Sequence, residues 1–270
     1  MAKAKGPKKK PDFATLGGLA LALLGIVGGL LLEGGEMKDI SQYTAAVIVL
    51  GGTLGAVLIN TPMGIVKGAM KYMGQVFFER ADGSGGVADE LIEYATKARK
   101  NGVVSLENDA NGVQDPFMKK ALILAVDGTD LQEIRKMLEL EIAMEEQYAE
   151  QCAKVFESAG GYAPTIGIIG AVMGLIQVMK NLSDIDKVGH GIAVAFVATV
   201  YGVAIANILF LPMANKIKAR AAQEAQLKEL ILEGITGIVE GMNPKLIRAK
   251  LSAYLPPTTR GKGAPVQAEA

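Results

Sequence analysis

The chain has 270 residues, 28 basic and 28 acidic, with one cysteine and one histidine. A single cysteine excludes an internal disulfide framework and a cysteine-based zinc site, a single histidine excludes the two-histidine metal motifs, and zero net charge argues against bulk nucleic-acid binding. Half of the residues are apolar, yet only 5% are aromatic and 33 are glycine, a balance that points to a polytopic membrane protein rather than to soluble domains.

In chain order, residues 1–14 carry Lys3, Lys5, Lys8, Lys9 and Lys10 and read as a basic cytoplasmic N-terminus that also attracts anionic lipid. Residues 15–32, 43–66, 158–179 and 191–215 are free of Asp, Glu, Lys and Arg over 18, 24, 22 and 25 positions. At about 1.5 Å per residue each is long enough to cross a hydrocarbon core of about 30 Å, and none has the polar stripe of a soluble amphipathic helix. The first has no clear small-residue cleavage site and a second span follows at once, so it reads as a span and not as a signal peptide. The links between spans one and two and between spans three and four hold one lysine each, Lys38 and Lys187. Lys67 and Lys71 follow span two, and Lys216, Lys218 and Arg220 follow span four. This asymmetry places both termini and the middle segment in the cytoplasm.

The expected division is a transmembrane pair in 15–66, a cytoplasmic helical domain in 67–157, a second pair in 158–214, cytoplasmic helices in 215–254 and a disordered tail in 255–270. Residues 64–78 are apolar with two lysines and suit a helix along the membrane surface. Residues 81–86 (ADGSGG) read as a turn, and residues 87–101 as a helix with Leu91, Tyr94, Ala95 and Ala98 on one face and Gly102 as its stop. A new piece begins at Ser105, Asp115-Pro116 opens a helix, and Thr129 or Asp130 caps a long acidic one that runs into span three. Its apolar set includes Ile134, Leu138, Ile142, Tyr148, Cys152 and Val155. Span four should continue past Pro212 to about Glu240, and Asn243-Pro244 starts a short last helix. No stretch alternates enough to be sheet, so the fold class is all-α.

The spans contain no Asp, Glu, Lys or Arg, whereas ion carriers need such a group within the membrane; either a partner supplies a carboxylate or the chain is a scaffold. Small residues recur at helical spacing: Gly25 and Gly29, Gly51 and Gly55, Gly167, Gly170 and Gly174, and Ala195, Thr199, Gly202 and Ala206. For spans one and two ordinary packing is the expectation. The longer stripes of spans three and four suit the lining of a central hole filled by another protein's helices, with packing as the alternative. Pro164 and Pro212 each free a carbonyl one turn earlier, as a harmless kink or a functional one. Thr199 is the hydroxyl in the middle of span four, and His190 sits at its outer boundary, where an interfacial role is the usual one.

With these features together, the pattern resembles the A subunit of the bacterial flagellar motor stator, the MotA/PomA family, over about residues 13–254. The resemblance rests on the order of spans and on three local matches: Arg99 and Glu107 in ARKNGVVSLEND, Pro164 in APTIGIIGAVMGL, and Thr199 with Pro212 in AFVATVYGVAIANILFLP. It implies a pentameric ring in the bacterial inner membrane around two helices of a single-span B subunit (MotB/PomB-like) that carries the ion-binding aspartate. Pro164, Ala171, Thr199 and Pro212 would flank the ion path, and Arg99 and Glu107 would engage a FliG-like rotor switch protein by complementary charge. No cofactor, nucleic acid or enzyme activity is implied. Ala171 stands where sodium-driven relatives resemble one another in having a threonine, so a proton is the expected ion; DFATLGGLAL is similar to the sodium branch and keeps sodium as the alternative. The rival readings are an ExbB/TolQ-like energiser of outer-membrane processes, which usually has three spans, and a non-conducting scaffold. A transporter or membrane enzyme would need polar ligands or a nucleophile–base set that the spans lack.

Overall fold

The computed structural model describes residues 10–79 and 83–255. Ten α-helices follow one another among them: α1 (Phe13–Leu32), α2 (Tyr43–Asn60), α3 (Met63–Val76), α4 (Ser84–Asn101), α5 (Glu107–Gly112), α6 (Pro116–Val126), α7 (Leu131–Lys180), α8 (Ile185–Ala204), α9 (Leu211–Val239) and α10 (Pro244–Leu251). A 3-10 turn, Val103–Leu106, joins α4 to α5, and a π-helical segment, Ile205–Phe210, joins α8 to α9. The all-α architecture is as expected, apart from a two-residue antiparallel pairing of Lys10–Pro11 with Phe78–Glu79. Four helical stretches, beginning at Phe13, Tyr43, Leu131 and Ile185, are long and apolar enough to cross a membrane.

The helix limits have local causes. Asp12 caps α1, its carboxylate accepting from the Thr15 N–H at 3.0 Å. Asp115 does the same for α6 from Met118 at 2.8 Å, with Pro116 in the first helical position. Asp130 accepts from Gln132 and Asn243 from Lys245. Gly102 closes α4 with φ +81°, a left-handed conformation that a side chain would strain. The fourth helix begins at Ser84, three positions before the expected start, because the glycines of the ADGSGG segment join it; residues 81 and 82 lie outside the described residues. The acidic helix enters span three unbroken, and Pro164 is accommodated inside α7.

Span two departs from expectation. Its helix ends at Asn60 instead of reaching Val66, because Thr61 precedes Pro62 and is driven to the extended conformation, φ −129° and ψ 130°. A separate helix, α3, then carries Lys67 and Lys71 on its exposed side. The expected tail falls on residues 256–270, outside the described residues, as do Lys3, Lys5, Lys8 and Lys9.

By contacts the chain divides into two units, one of Met1–Arg80 with Tyr148–Ala219, the other of Ala81–Gln147 with Arg220–Ala270. The second unit has a conventional core. Leu91, Leu106, Leu122, Ile134, Leu138, Leu230, Ile235 and Ile247 are fully buried, each contributing about 1.5–3 kcal/mol. Ion pairs tie its surface: Lys97 to Asp109 at 2.5 Å, Lys250 to Glu233 at 2.8 Å, and Lys228 to Glu145.

The first unit holds the spans. Ala45 and Val49 of α2 pack on Val197 and Ala198 of α8. Ala69 and Val76 of α3 pack with Cys152, Ala153 and Phe156 of α7 and with Met213, Ala214 and Ile217 of α9. Tyr148, expected on the apolar face, is 41% exposed. The first span buries no residue of its own, and its N-terminal end is held by polar contacts. Lys216 forms an ion pair with Asp12 at 2.5 Å and donates to the Thr15 hydroxyl at 2.6 Å, while the Asp12 N–H donates to the Phe77 carbonyl at 2.9 Å.

Asp12 therefore serves as helix cap and counter-ion at once. Asp12→Ala should lower the unfolding stability of the solubilised protein by about 2 kcal/mol. In a double-mutant cycle, adding Lys216→Met should cost less than the sum of the two single changes, as read by thermal unfolding.

Candidate functional site

Spans three and four meet along a seam of direct backbone contact. A Cβ placed on Gly167 would lie 2.8 Å from the Ala198 carbonyl and 3.4 Å from the Cα atoms of Gly202 and Thr199. One on Gly174 would lie 2.6 Å from the Gly191 carbonyl and 2.8 Å from the Ala195 nitrogen, and one on Gly170 would lie 2.8 Å from the Ala198 Cβ. Real Cβ atoms do not approach backbone so closely, so only glycine permits this spacing.

This corrects the expectation that the small-residue stripes of spans three and four line a hole. They close on one another, and Ala195, Gly202 and Ala206 are buried within the chain. The assignment for spans one and two reverses in the same way. A Cβ on Gly25, Gly29, Gly51 or Gly55 would meet no atom within 4 Å.

Three of the four expected ion-path residues lie along the edge of the seam. Pro164 and Ala171 are two turns apart on one face of α7, and both are half-buried. Thr199 is half-buried on α8, its backbone against Gly167. Its hydroxyl donates to the Ala195 carbonyl at 3.2 Å, which leaves the oxygen's lone pairs as acceptors. Pro212 is exposed at the start of α9, next to a contact between α7 and Leu211. Pro164 has no N–H for the Gly160 carbonyl, and a Cβ on Gly160 would lie 2.7 Å from a methyl of Leu211, the residue before Pro212.

Between Thr199 and Pro212 the helix widens. The Leu211 N–H donates to the Ala206 carbonyl five residues back, and the π-helical turn covers Ile205–Phe210. Sequence reasoning missed this segment, because its composition is that of any apolar helix. It also missed Tyr201, whose hydroxyl donates to the Ile40 carbonyl and accepts from the Gln42 N–H at 3.4 Å. Gln42 stands at the uncapped start of α2, so Tyr201 supplies from another helix what a capping side chain would. Thr53 is a third such residue, a buried hydroxyl on α2 with no hydrogen-bond partner among the described residues.

The other expected pair is in the second unit. Arg99 lies in the last turn of α4 and Glu107 opens α5, each at the helix end its charge favours. Both are exposed, and neither forms an ion pair among the described residues. Their separation is set from beneath by Leu106, fully buried in the connecting turn, and beside them by the Lys97–Asp109 ion pair. Val104, 67% exposed in the same turn, puts an apolar side chain between the two charges. Nearby, Tyr94 donates to Glu90, and burial first, then that carboxylate, pushes its phenol well above the usual range. No cluster of three potential metal ligands occurs among the described residues.

Four helical stretches long and apolar enough to cross a membrane, with no Asp, Glu, Lys or Arg in their apolar runs, are those of a multi-pass membrane protein. The MotA/TolQ/ExbB proton channel family model matches residues 109–230, and the Motility protein A N-terminal model matches residues 16–100. Motility protein A of Bacillus subtilis (strain 168) is 36% identical over 255 residues, covering 93% of each chain. Chemotaxis protein PomA of Vibrio alginolyticus is 34% identical over 239 residues, covering 86% of this chain and 94% of its own. The solved structure of C. jejuni MotAB superposes with a TM-score of 0.88 at 34% identity, covering 92% of this chain and 98% of that one. The chain belongs to the motility protein A family of flagellar stator subunits, within the MotA/TolQ/ExbB proton channel family.

The seam yields a contrast between glycines. Gly167→Val should prevent accumulation of folded protein in the membrane, because its side chain meets the Ala198 carbonyl. Gly51→Ala should leave accumulation unchanged or raise it slightly, since its Cβ meets nothing and alanine is the better helix former by up to about 1 kcal/mol. Immunoblots of membrane fractions and unfolding of the purified variants read both.

Proposed function

We propose that this chain works in the inner membrane as the A-type subunit of a stator, wrapped as a pentamer around the helices of a MotB-like partner that supplies the ion-binding carboxylate. The observation that carries this reading is the absence of any Asp, Glu, Lys or Arg from the four spans, combined with the polar Thr199 and the proline-opened backbone at Pro164 on the edge of the seam. The chain shapes the path and leaves the charge change to its partner. Lysine placement supports cytoplasmic termini and a cytoplasmic location for 67–157 and 215–254.

In this mechanism the partner's carboxylate is neutralised by an arriving ion and recharged when the ion leaves toward the cytoplasm. The membrane potential supplies about 2.3 kcal/mol per charge per 100 mV. The neutral form sits against Thr199 and the half-buried Pro164 face; the charged form turns to water. Each change shifts the ring by one contact, and Pro212 lets the cytoplasmic continuation of span four follow. Arg99 and Glu107, with Val104 between them, meet a FliG-like rotor protein, and exposed charge suits fast, weak engagement. Ala171 brings no oxygen ligand to the path, which favours a proton over sodium. The chain acts as no enzyme in this scheme and needs no cofactor.

Two tests follow. Thr199→Val keeps side-chain volume and removes the hydroxyl; it should slow or stop swimming while the membrane level of the protein stays normal. Collapse of the proton gradient should stop wild-type swimming, and collapse of the sodium gradient alone should leave it. A scaffold would tolerate Thr199→Val with full motility. Arg99→Glu should lower torque, and a charge reversal on the rotor protein should restore part of it; protein stability should change by no more than about 0.5 kcal/mol, since the side chain is exposed.

A further inference from the structure

The break between α2 and α3 opens a cleft of about 490 Å³ within the first unit. Its wall on one side is the non-helical stretch Asn60–Thr61–Pro62 with Ile65, and on the other the face of α7 that carries Gln151, Lys154 and Ser158. Asn60 donates to the Ser158 hydroxyl at 3.4 Å across it. The charges that line it are unequal in state. Glu157 is already engaged by Lys218 at 2.7 Å, whereas Lys154 has no hydrogen bond or ion pair with any described residue. Lys67 and Lys71, on the exposed side of α3, likewise have no partner among the described residues; Glu150, one turn before Lys154, lies near enough to Lys218 to raise its pKa and is the remaining acid here.

The cleft lies where a charge-free span stops and lysines begin. On α2, just before it, Leu54, Leu58 and Ile59 are exposed, the last at 91%. On α3, just after it, Met63 and Met70 are exposed beside the two lysines. An apolar track leading to a recess with a free ammonium and neutral hydrogen-bonding groups matches one kind of molecule: a phosphate diester on two acyl chains. Basic recesses beside spanning helices at the cytoplasmic boundary are suited to acidic headgroups, and the charge-assisted bond of an ammonium to a phosphate oxygen is stronger than a neutral one.

We propose that this cleft holds the headgroup phosphate of an anionic phospholipid of the cytoplasmic leaflet. Lys154 supplies the counter-charge, Asn60, Gln151 and Ser158 supply hydrogen-bonding groups, and the acyl chains lie along Leu54, Leu58 and Ile59. The bound lipid fills the gap left by the broken span and ties α2 to α7. The inference rests on the proposed orientation only for the choice of leaflet, and it does not depend on ion coupling.

Native mass spectrometry of the full-length protein, reconstituted in bilayers of equal phosphatidylglycerol and phosphatidylcholine and then released into detergent, tests it. The wild type should retain phosphatidylglycerol in preference to phosphatidylcholine. Lys154→Gln should lose retention about fivefold, the equivalent of about 1 kcal/mol for one lysine near an acidic surface, and Asn60→Ala should lose part of it. Both variants change residues outside the packed seam, and their unfolding curves check the fold. Millimolar inorganic phosphate should not displace the lipid. Equal retention by Lys154→Gln and wild type, equal retention of the zwitterionic lipid, displacement by free phosphate, or no retention by wild type because a neighbouring copy fills the cleft would each overturn the proposal. Labelling of a Ser84→Cys variant from outside intact cells reports orientation separately, so failure of the site and failure of the topology are told apart.

Discussion

Helices that carry no charge across a bilayer must be held by something other than the hydrophobic effect, because lipid tails are as apolar as leucine. In this protein the answer is close approach of backbone to backbone. Gly167 faces the Ala198 carbonyl, Gly174 faces the Gly191 carbonyl, and Gly202 packs in the same seam. Dispersion and weak Cα–H contacts gain most at such short range. The composition follows from this: much glycine and little aromatic bulk. Tyr201 bonds across to the Ile40 carbonyl, whereas Thr199 bonds within its own helix and Thr53 has no partner among the described residues. Where the glycines are not engaged, as in α1, attachment falls to polar contacts at the N-terminal end of the helix, with Asp12, Lys216 and Thr15 bound to one another.

The same constraint shapes the functional reading. Under the proposed function, the half-buried edge beside the tight seam is the surface that meets the partner. Pro164, Ala171 and Thr199 are on that edge. The region able to change shape lies next to it. The backbone at Gly160, opened by Pro164, abuts Leu211, and Leu211 ends the π-helical turn that precedes Pro212. A π turn between two regular helices is a known place for functional adjustment, and here it sits between Thr199 of α8 and the start of α9.

Much of this was readable from the chain. The spans stood out because charge is absent over more than 17 positions in each, and the caps at Asp115, Asp130 and Asn243 stood out because their chemistry is local. The unbroken entry of the acidic helix into span three followed from the lack of any stop signal before it. What failed was relational. Small-residue stripes of similar spacing on the four spans look alike in sequence, and only the register of α7 against α8 decides that theirs are engaged and the glycines Gly25, Gly29, Gly51 and Gly55 of α1 and α2 are free. The end of α2 at Asn60 was signalled by Pro62, but the strong apolar run to Val66 outweighed it in the reading. The π turn has no compositional mark, and Tyr201 acts through Ile40, more than 150 positions away. Arg99 and Glu107 were singled out by the family resemblance, and as solvated helix-end charges they are exposed.

The central claim is that these electrically silent helices conduct only when another chain lends the acid. Ion flux into lipid vesicles measures this directly, with the purified protein reconstituted alone and together with its B-type partner, under an imposed potential and with a pH-sensitive dye inside. The account predicts no flux above empty vesicles for the chain alone, and flux with the partner that disappears when the partner's intramembrane aspartate becomes asparagine. Sustained cation flux through the chain by itself would contradict it.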